Sequence, residues 1–269
     1  MIGLPKSVGT IGAGNMAEAI LRGLLRAGMS ADQLSASDTE AARRTLLRDE
    51  LGIHTTESNA EIAERAEVVV LAVKPQQLER AAHGLPKDGG PLYLSIVAGA
   101  TTASLRRLLG AGARIVRSMP NTPALVGAGI SAVASDGGAE PADVERAAAI
   151  LRAVGEVVQV PESALDAVTG LSGSGPAYVF LLIEGLTEAG VREGLSTEVA
   201  RALALETVHG AARLARETGE HPALLRERVT SPGGTTSAGL AALESAGFRA
   251  ALLAAVRAAT LRSRELGKP

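Results

Sequence analysis

The stretch Val229-Thr230-Ser231-Pro232-Gly233-Gly234-Thr235-Thr236-Ser237 concentrates hydroxyls and bare backbone just ahead of an apolar run. Proline fixes φ, glycine adopts conformations other residues avoid, and neither glycine carries a side chain that would keep a ligand from the main chain. Thr235, Thr236 and Ser237 then offer N-cap side chains, and Leu240, Leu243 and Phe248 recur at near-helical spacing. Free N–H groups and the positive end of a helix dipole would face a small carboxylate there. On residue types alone, an ordinary turn at the start of a helix is the competing reading.

A second stretch, Gly12-Ala13-Gly14-Asn15-Met16-Ala17, has the G-x-G-x-x-A form of a dinucleotide fingerprint. Gly12 permits a tight turn, Gly14 lets a pyrophosphate reach the backbone, and the small Ala17 lets helix and strand touch. The context fits: residues Ser7 to Gly12 read as a buried strand, and a helical pattern runs from about Asn15 to Arg26. The next strand, near Leu34 to Ser37, decides between the two nicotinamide cofactors. Asp38 could accept hydrogen bonds from a ribose 2′-hydroxyl, which favours NAD(H). Ser37, Thr39, Arg43 and Arg44 could together receive a 2′-phosphate, unless the arginines are solvated faces of the following helix. The expectation leans to NADP(H), with NAD(H) left open.

These residues need a scaffold, and the chain supplies α/β alternation. A helix is expected around Asn59 to Arg65, an apolar strand at Val68 to Val73 ending in Lys74-Pro75, and another at Leu92 to Val97 before a Thr101/Thr102 cap. Arg114 to Arg117 supplies the next strand, followed by Met119-Pro120-Asn121-Thr122-Pro123. Continuous apolar strands imply a sheet covered on both faces. Their carboxyl ends share one edge, so Ala72 to Pro75, Ala98 and Met119 to Pro123 are candidates to line the nicotinamide half. Short closing strands at Gly129 to Ala134 and Glu156 to Val160 flank a helix from roughly Pro141 to Ala153. From about Ser163 onward only helical stretches broken by glycine follow. The expected division is a Rossmann-type doubly wound domain over residues 1–160 and an all-helical domain over 161–269.

Composition narrows the function. With 269 residues, 46% hydrophobic content and a formal charge of −2, the chain can bury one large core or two moderate ones, and nothing points to a nucleic-acid partner. No cysteine is present, so disulfides, thiolate metal sites and cysteine nucleophiles are excluded. His54, His83, His209 and His221 are scattered and form no metal-binding pair. No run approaches membrane-spanning length and no signal-type leader is evident, so a cytoplasmic location is expected. Aromatics are confined to Tyr93, Tyr178, Phe180 and Phe248. Alanine-rich helices fit an intersubunit interface, or simply a biased composition.

A dinucleotide domain followed by helices with an anion-receiving loop suggests hydride transfer involving a small carboxylate. Hydroxy-acid dehydrogenases generally need a side chain to move the hydroxyl proton. Lysine occurs only at Lys6, Lys74, Lys87 and Lys268, and His209 and His221 belong to no polar cluster. A C=N substrate fits better, because a protonated imine is already electrophilic and its reduction needs orientation more than a strong acid.

With these motifs in order, the chain resembles the pyrroline-5-carboxylate reductase family over nearly its whole length. The resemblance rests on Ile11-Gly12-Ala13-Gly14-Asn15-Met16-Ala17, Ala72-Val73-Lys74-Pro75-Gln76, Met119 to Pro123, Gly170-Leu171-Ser172-Gly173-Ser174-Gly175-Pro176-Ala177-Tyr178, and Thr230 to Thr236. It implies NAD(P)H as donor, 1-pyrroline-5-carboxylate as substrate and L-proline as product. It also implies that Ser231 and the N–H groups of Gly233, Gly234 and Thr235 bind the carboxylate while the Thr236 hydroxyl contacts the ring nitrogen. Ser37 and Asn59 would hold the adenosine ribose and its 2′ substituent, and Ile11 to Met16, Ala72 to Pro75 and Ala98 the rest of the cofactor. The helical domain is then a dimerisation domain, with homodimers commonly assembled into a decamer. A related imine or hydroxy-acid reductase, or a nucleotide-sensing module, are the alternative expectations.

Overall fold

The computed structural model describes residues 3–87, 89–135 and 137–267; Lys268 lies outside them. In order, β1 (Val8–Ile11) leads to α1 (Asn15–Arg26), β2 (Leu34–Ser37), α2 (Ala41–Leu51), β3 (His54–Thr56), α3 (Asn59–Arg65) and β4 (Val68–Leu71). Next come α4 (Leu78–Ala82), β5 (Leu92–Ser95), α5 (Thr102–Leu109), β6 (Ile115–Met119), β7 (Gly129–Ala134), α6 (Pro141–Arg152) and β8 (Gly155–Gln159). Among the described residues these strands form an eight-stranded sheet in the order β3-β2-β1-β4-β5-β6-β7-β8. From β3 to β6 all pairings are parallel; β7 runs antiparallel to β6, and β8 parallel to β7. The strand order reverses between β1 and β4, the switch point at which such sheets open a crevice.

Alternation along the strands builds a core on each face. Val8, Val68, Val70, Leu92, Leu94 and Val116 pack with Ile20, Leu21 and Leu24 of α1 and Ile150 and Leu151 of α6. Their neighbours Ile11, Val69, Leu71, Tyr93 and Ile115 pack on the other face with Ile62 of α3 and Leu105 and Leu109 of α5. Both faces are apolar because both are covered, which is why β4 reads as an unbroken apolar run.

Strand ends differ from the sequence reading in instructive ways. β4 stops at Leu71 and β5 at Ser95, two residues earlier than hydrophobicity predicts. After β5, the Val97 N–H bonds the Ser95 hydroxyl at 3.4 Å and its carbonyl accepts the Ala100 N–H, so the chain turns although its residues stay apolar. β3 is not expected from the sequence, since His54-Thr55-Thr56 has no apolar member; its pairing with Ser35, Ala36 and Ser37 makes it an edge strand.

After β8 come α7 (Leu165–Val168), a π-helical turn over Thr169–Gly173, α8 (Gly175–Arg192), α9 (Thr197–Thr218), α10 (Pro222–Arg228), α11 (Thr235–Ser245) and α12 (Phe248–Leu266). The described residues through Ser174 and those from Arg257 form one compact unit, and Gly175–Val256 a second. The first unit thus runs past residue 160. Leu165 is buried with Ala132 and Ala134 beside the sheet, and the buried Ser263 hydroxyl on α12 donates to Asp166 at 2.7 Å. In the second unit α8 and α9 pack on each other. α8 nevertheless has no buried residue: Phe180 and Leu181 are 58% and 68% exposed.

Candidate functional site

At the switch point lies a groove of about 570 Å³ lined by Ile11, Gly12, Gly14, Ser37, Asp38, Thr39, Glu40, Glu57, Asn59, Ala72, Val73, Lys74, Gln77, Arg80 and Ala81. Its floor is the β1–α1 turn. Gly12 has φ +96°, and a Cβ there would come within 2.6 Å of the Ala72 carbonyl oxygen, so conformation and space both demand glycine. Gly14 caps α1 in extended conformation with no side-chain cap. A Cβ built on it meets nothing within 4 Å, which leaves bare backbone beside open space at a helix N-terminus, the arrangement that suits a pyrophosphate.

The turn is held from below. The Ala13 N–H donates to Asp38 Oδ2 at 2.7 Å, and the Ala13 carbonyl accepts from Arg43 Nε at 2.7 Å. Asp38 Oδ1 accepts the Glu40 N–H at 2.9 Å, and the Asp38 carbonyl accepts from Arg44 Nη1 at 2.7 Å. Arg43 continues to Glu18 at 2.7 Å, and Arg44 pairs with Glu57. Burial works against an ionised Glu18, but hydrogen bonds from Arg43 and Arg22 outweigh it and hold the carboxyl below its ordinary pKa. Both arginines considered for a 2′-phosphate are therefore tied to the turn, and neither lines the groove. They are not solvated faces either, being half-buried.

Ser37 is fully buried at the end of β2, and its hydroxyl donates to Asn59 Oδ1 at 2.7 Å. Asn59 Nδ2 donates to the Ala81 carbonyl at 2.9 Å, fixing the amide's orientation. Of the other residues expected at the cofactor, Ile11, Gly12, Gly14, Ala72, Val73 and Lys74 line the groove with this pair. Ala13 is buried beneath it, Asn15 and Met16 sit in the first turn of α1, Pro75 begins a short 3-10 turn, and Ala98 lies in the turn after β5. Gln77, Arg80 and Ala81 were missed by sequence reasoning. The available signal was Lys74-Pro75: a helix starting just beyond it begins at the carboxyl edge of the sheet.

In the second unit, the Gly234 N–H bonds the Ser231 carbonyl at 3.0 Å, closing a turn with Pro232 and Gly233 at its centre. Gly233 has φ +69°, as the third residue of a type II turn requires. Gly234 then caps α11, and the first intrahelical bond runs from the Ala238 N–H to the Gly234 carbonyl. The N–H groups of Thr235, Thr236 and Ser237 and the hydroxyls of Thr235 and Thr236 have no partner among the described residues. Thr236 is half-buried, and Ser231 and Thr235 are exposed. Unsatisfied donors at the start of an eleven-residue helix are the arrangement that suits a small anion.

Comparison with known proteins decides the family. A pyrroline-5-carboxylate reductase from Synechocystis sp. is 49% identical over 263 residues, covering 97% of this chain and 98% of the relative. This chain belongs to the pyrroline-5-carboxylate reductase family. Its helical half, residues 162–266, matches the family described as pyrroline-5-carboxylate reductase dimerisation. Residues 7–99, which include the groove, match the family described as NADP oxidoreductase, coenzyme F420-dependent. The Escherichia coli reductase is 39% identical over 98% of this chain and 100% of its own length. Among solved structures, the reductase from Coxiella burnetii aligns with a TM-score of 0.91 at 38% identity, covering 98% of this chain and all of that one. The Plasmodium falciparum reductase with NADP bound aligns at 0.88 and 30% identity, covering 99% and 100%.

Proposed function

We propose that this protein reduces 1-pyrroline-5-carboxylate to L-proline with NADPH, the last step of proline biosynthesis. The observation that carries the reading is the identity of nearly half the residues to a named reductase across 97% of the chain. The groove fits a dinucleotide on its own evidence: open space beside Gly14, a helix N-terminus and an oriented Ser37–Asn59 pair.

When bound, the nicotinamide supplies a hydride to the carbon of the substrate's C=N bond, whose protonated nitrogen becomes a secondary amine. The protein's task is orientation. In our assignment Gly12 and Gly14 present backbone to the pyrophosphate, and Ser37 and Asn59 hold the adenosine ribose. Ile11, Ala72, Val73 and Lys74 form the wall towards the nicotinamide, with Pro75 and Ala98 beyond. Ser231 and the N–H groups that begin α11, Thr235 first, take the substrate carboxylate; the Gly234 N–H, expected to share in this, is held by the Ser231 carbonyl and contributes bare backbone instead. The Thr236 hydroxyl meets the ring nitrogen, where charge changes in the reaction.

The same proposal includes a homodimer, assembled further into a decamer. Its support is α8, whose Phe180 and Leu181 stay 58% and 68% exposed although the helix packs on α9, and the matched dimerisation family. We place the enzyme in the cytoplasm, where NADPH is available; cell fractionation tests that placement. The deciding experiment follows NADPH absorbance with synthetic pyrroline-5-carboxylate and identifies the product by chiral chromatography. Formation of L-proline is expected. Turnover of another imine or a hydroxy acid, with none of pyrroline-5-carboxylate, would overturn the reading.

A further inference from the structure

We infer that Arg80 is the residue by which this chain tells NADPH from NADH, its guanidinium receiving the 2′-phosphate of the adenosine ribose. The inference rests on the dinucleotide assignment of the groove. A 2′-phosphate at the end of β2 needs a cation, and the sequence offers Arg43 and Arg44 at the expected distance from it. Both are spent: Arg43 on the Ala13 carbonyl and Glu18, Arg44 on the Asp38 carbonyl and Glu57. Moving either onto a ligand would release the turn that the ligand needs.

The basic side chains that do line the groove are Lys74 and Arg80. Lys74 directly follows Ala72 and Val73 beyond β4, opposite Gly12, on the pyrophosphate and nicotinamide side. Arg80 lies on α4 next to Ala81, whose carbonyl holds Asn59, which in turn holds Ser37. That chain of contacts sets the backbone of Arg80 at the Ser37–Asn59 end of the groove, the end assigned to the ribose, and its side chain lines the groove there. Arg80 is exposed, and among the described residues its guanidinium makes no hydrogen bond or ion pair.

The neighbouring acids sharpen the argument. Asp38, the acceptor an NAD-type ribose would use, already receives the Ala13 and Glu40 N–H groups on its two oxygens. Glu57 is neutralised by Arg44, whereas Glu40 lines the groove without a cation of its own among the described residues. A phosphate dianion entering beside Glu40 requires an offsetting positive charge, and a planar guanidinium can meet two phosphate oxygens at once.

The test is calorimetric titration of 2′,5′-ADP and 5′-ADP into wild type, Arg80→Gln and Arg80→Lys, with NADPH and NADH kinetics alongside. Wild type should prefer 2′,5′-ADP. Arg80→Gln should cut that preference on the order of ten- to a hundredfold, the range for a hydrogen-bonded charge pair, and Arg80→Lys should fall between. The NADPH-to-NADH ratio of kcat/KM should drop in parallel. Equal weakening of both nucleotides would make Arg80 a general support of the groove, and unchanged preference would remove it from the phosphate; either overturns the inference. Wild type binding neither nucleotide would instead defeat the dinucleotide assignment, and this inference with it.

Discussion

Asp38 Oδ2 accepts the N–H of Ala13 at 2.7 Å across 25 residues of sequence, so the strand-end acid that often reads a ribose in such folds braces the Gly12–Gly14 turn here. Asp38→Ala should therefore weaken NADPH and NADH alike, about tenfold, the equivalent of one charge-assisted hydrogen bond. Fluorescence titration of both cofactors measures it. Selective loss of NADH would show that the carboxylate reads the 2′-hydroxyl after all.

Gly14→Val should abolish cofactor binding while leaving the fold intact. The valine side chain would occupy open space rather than collide with protein, so the cost falls on the ligand alone. Circular dichroism should match wild type, and a normal NADPH titration would contradict the placement.

At the start of α11, Thr236→Ala should lower kcat/KM by the equivalent of about 1–3 kcal/mol under the proposed assignment, in which its hydroxyl meets a group whose charge changes. Ser231→Ala should mainly raise the KM for the pyrroline carboxylate. Full activity in the first variant, or an unchanged KM with depressed kcat in the second, would reverse these assignments.

Glu162 accepts the Thr102 N–H at 2.7 Å, the Thr102 hydroxyl at 2.9 Å and Arg117 at 2.8 Å, joining α5 to β6. Burial disfavours its charge, yet these bonds outweigh it and hold the carboxyl below its ordinary pKa. A depressed folded pKa means stability that is present above the unfolded value, near ~4.3, and is lost as pH falls through the folded one. Glu162→Gln should thus cost stability at pH 7, with the gap to wild type closing below about pH 4. Urea unfolding across that range is the measurement, and a gap that widens in acid would refute the sign.

Asp143 is 1% exposed and accepts from Arg114 and Arg146, each at 3.0 Å. Asp143→Ala should cost about 1–3 kcal/mol, because both half-exposed arginines can rehydrate. Removing both arginines as methionines leaves the buried carboxylate with only the Glu140 N–H, at 3.3 Å, and should cost more, about 3–5 kcal/mol. The reverse order in denaturant melts would show that the site is not sealed from water.

The sequence by itself determined where the chain turns and what those turns are made of. Gly12-x-Gly14 and Pro232-Gly233-Gly234 are legible because backbone conformation is a local property: only certain residues tolerate φ +96° at Gly12 or +69° at Gly233. The strands were legible for a related reason, burial on both faces leaving an apolar run that needs no partner to be recognised. What only the tertiary structure decided is where the charges go. Asp38, Arg43 and Arg44 looked like cofactor readers, and Arg80 was not singled out. The Ala13 backbone that Asp38 and Arg43 hold lies 25 and 30 residues away in sequence, the Glu57 that Arg44 pairs with 13, and the direction of a long side chain is set by whichever opposite charge or free carbonyl the fold carries to it. β3 shows the same dependence for backbone, since three polar residues became a strand only because β2 offered them an edge.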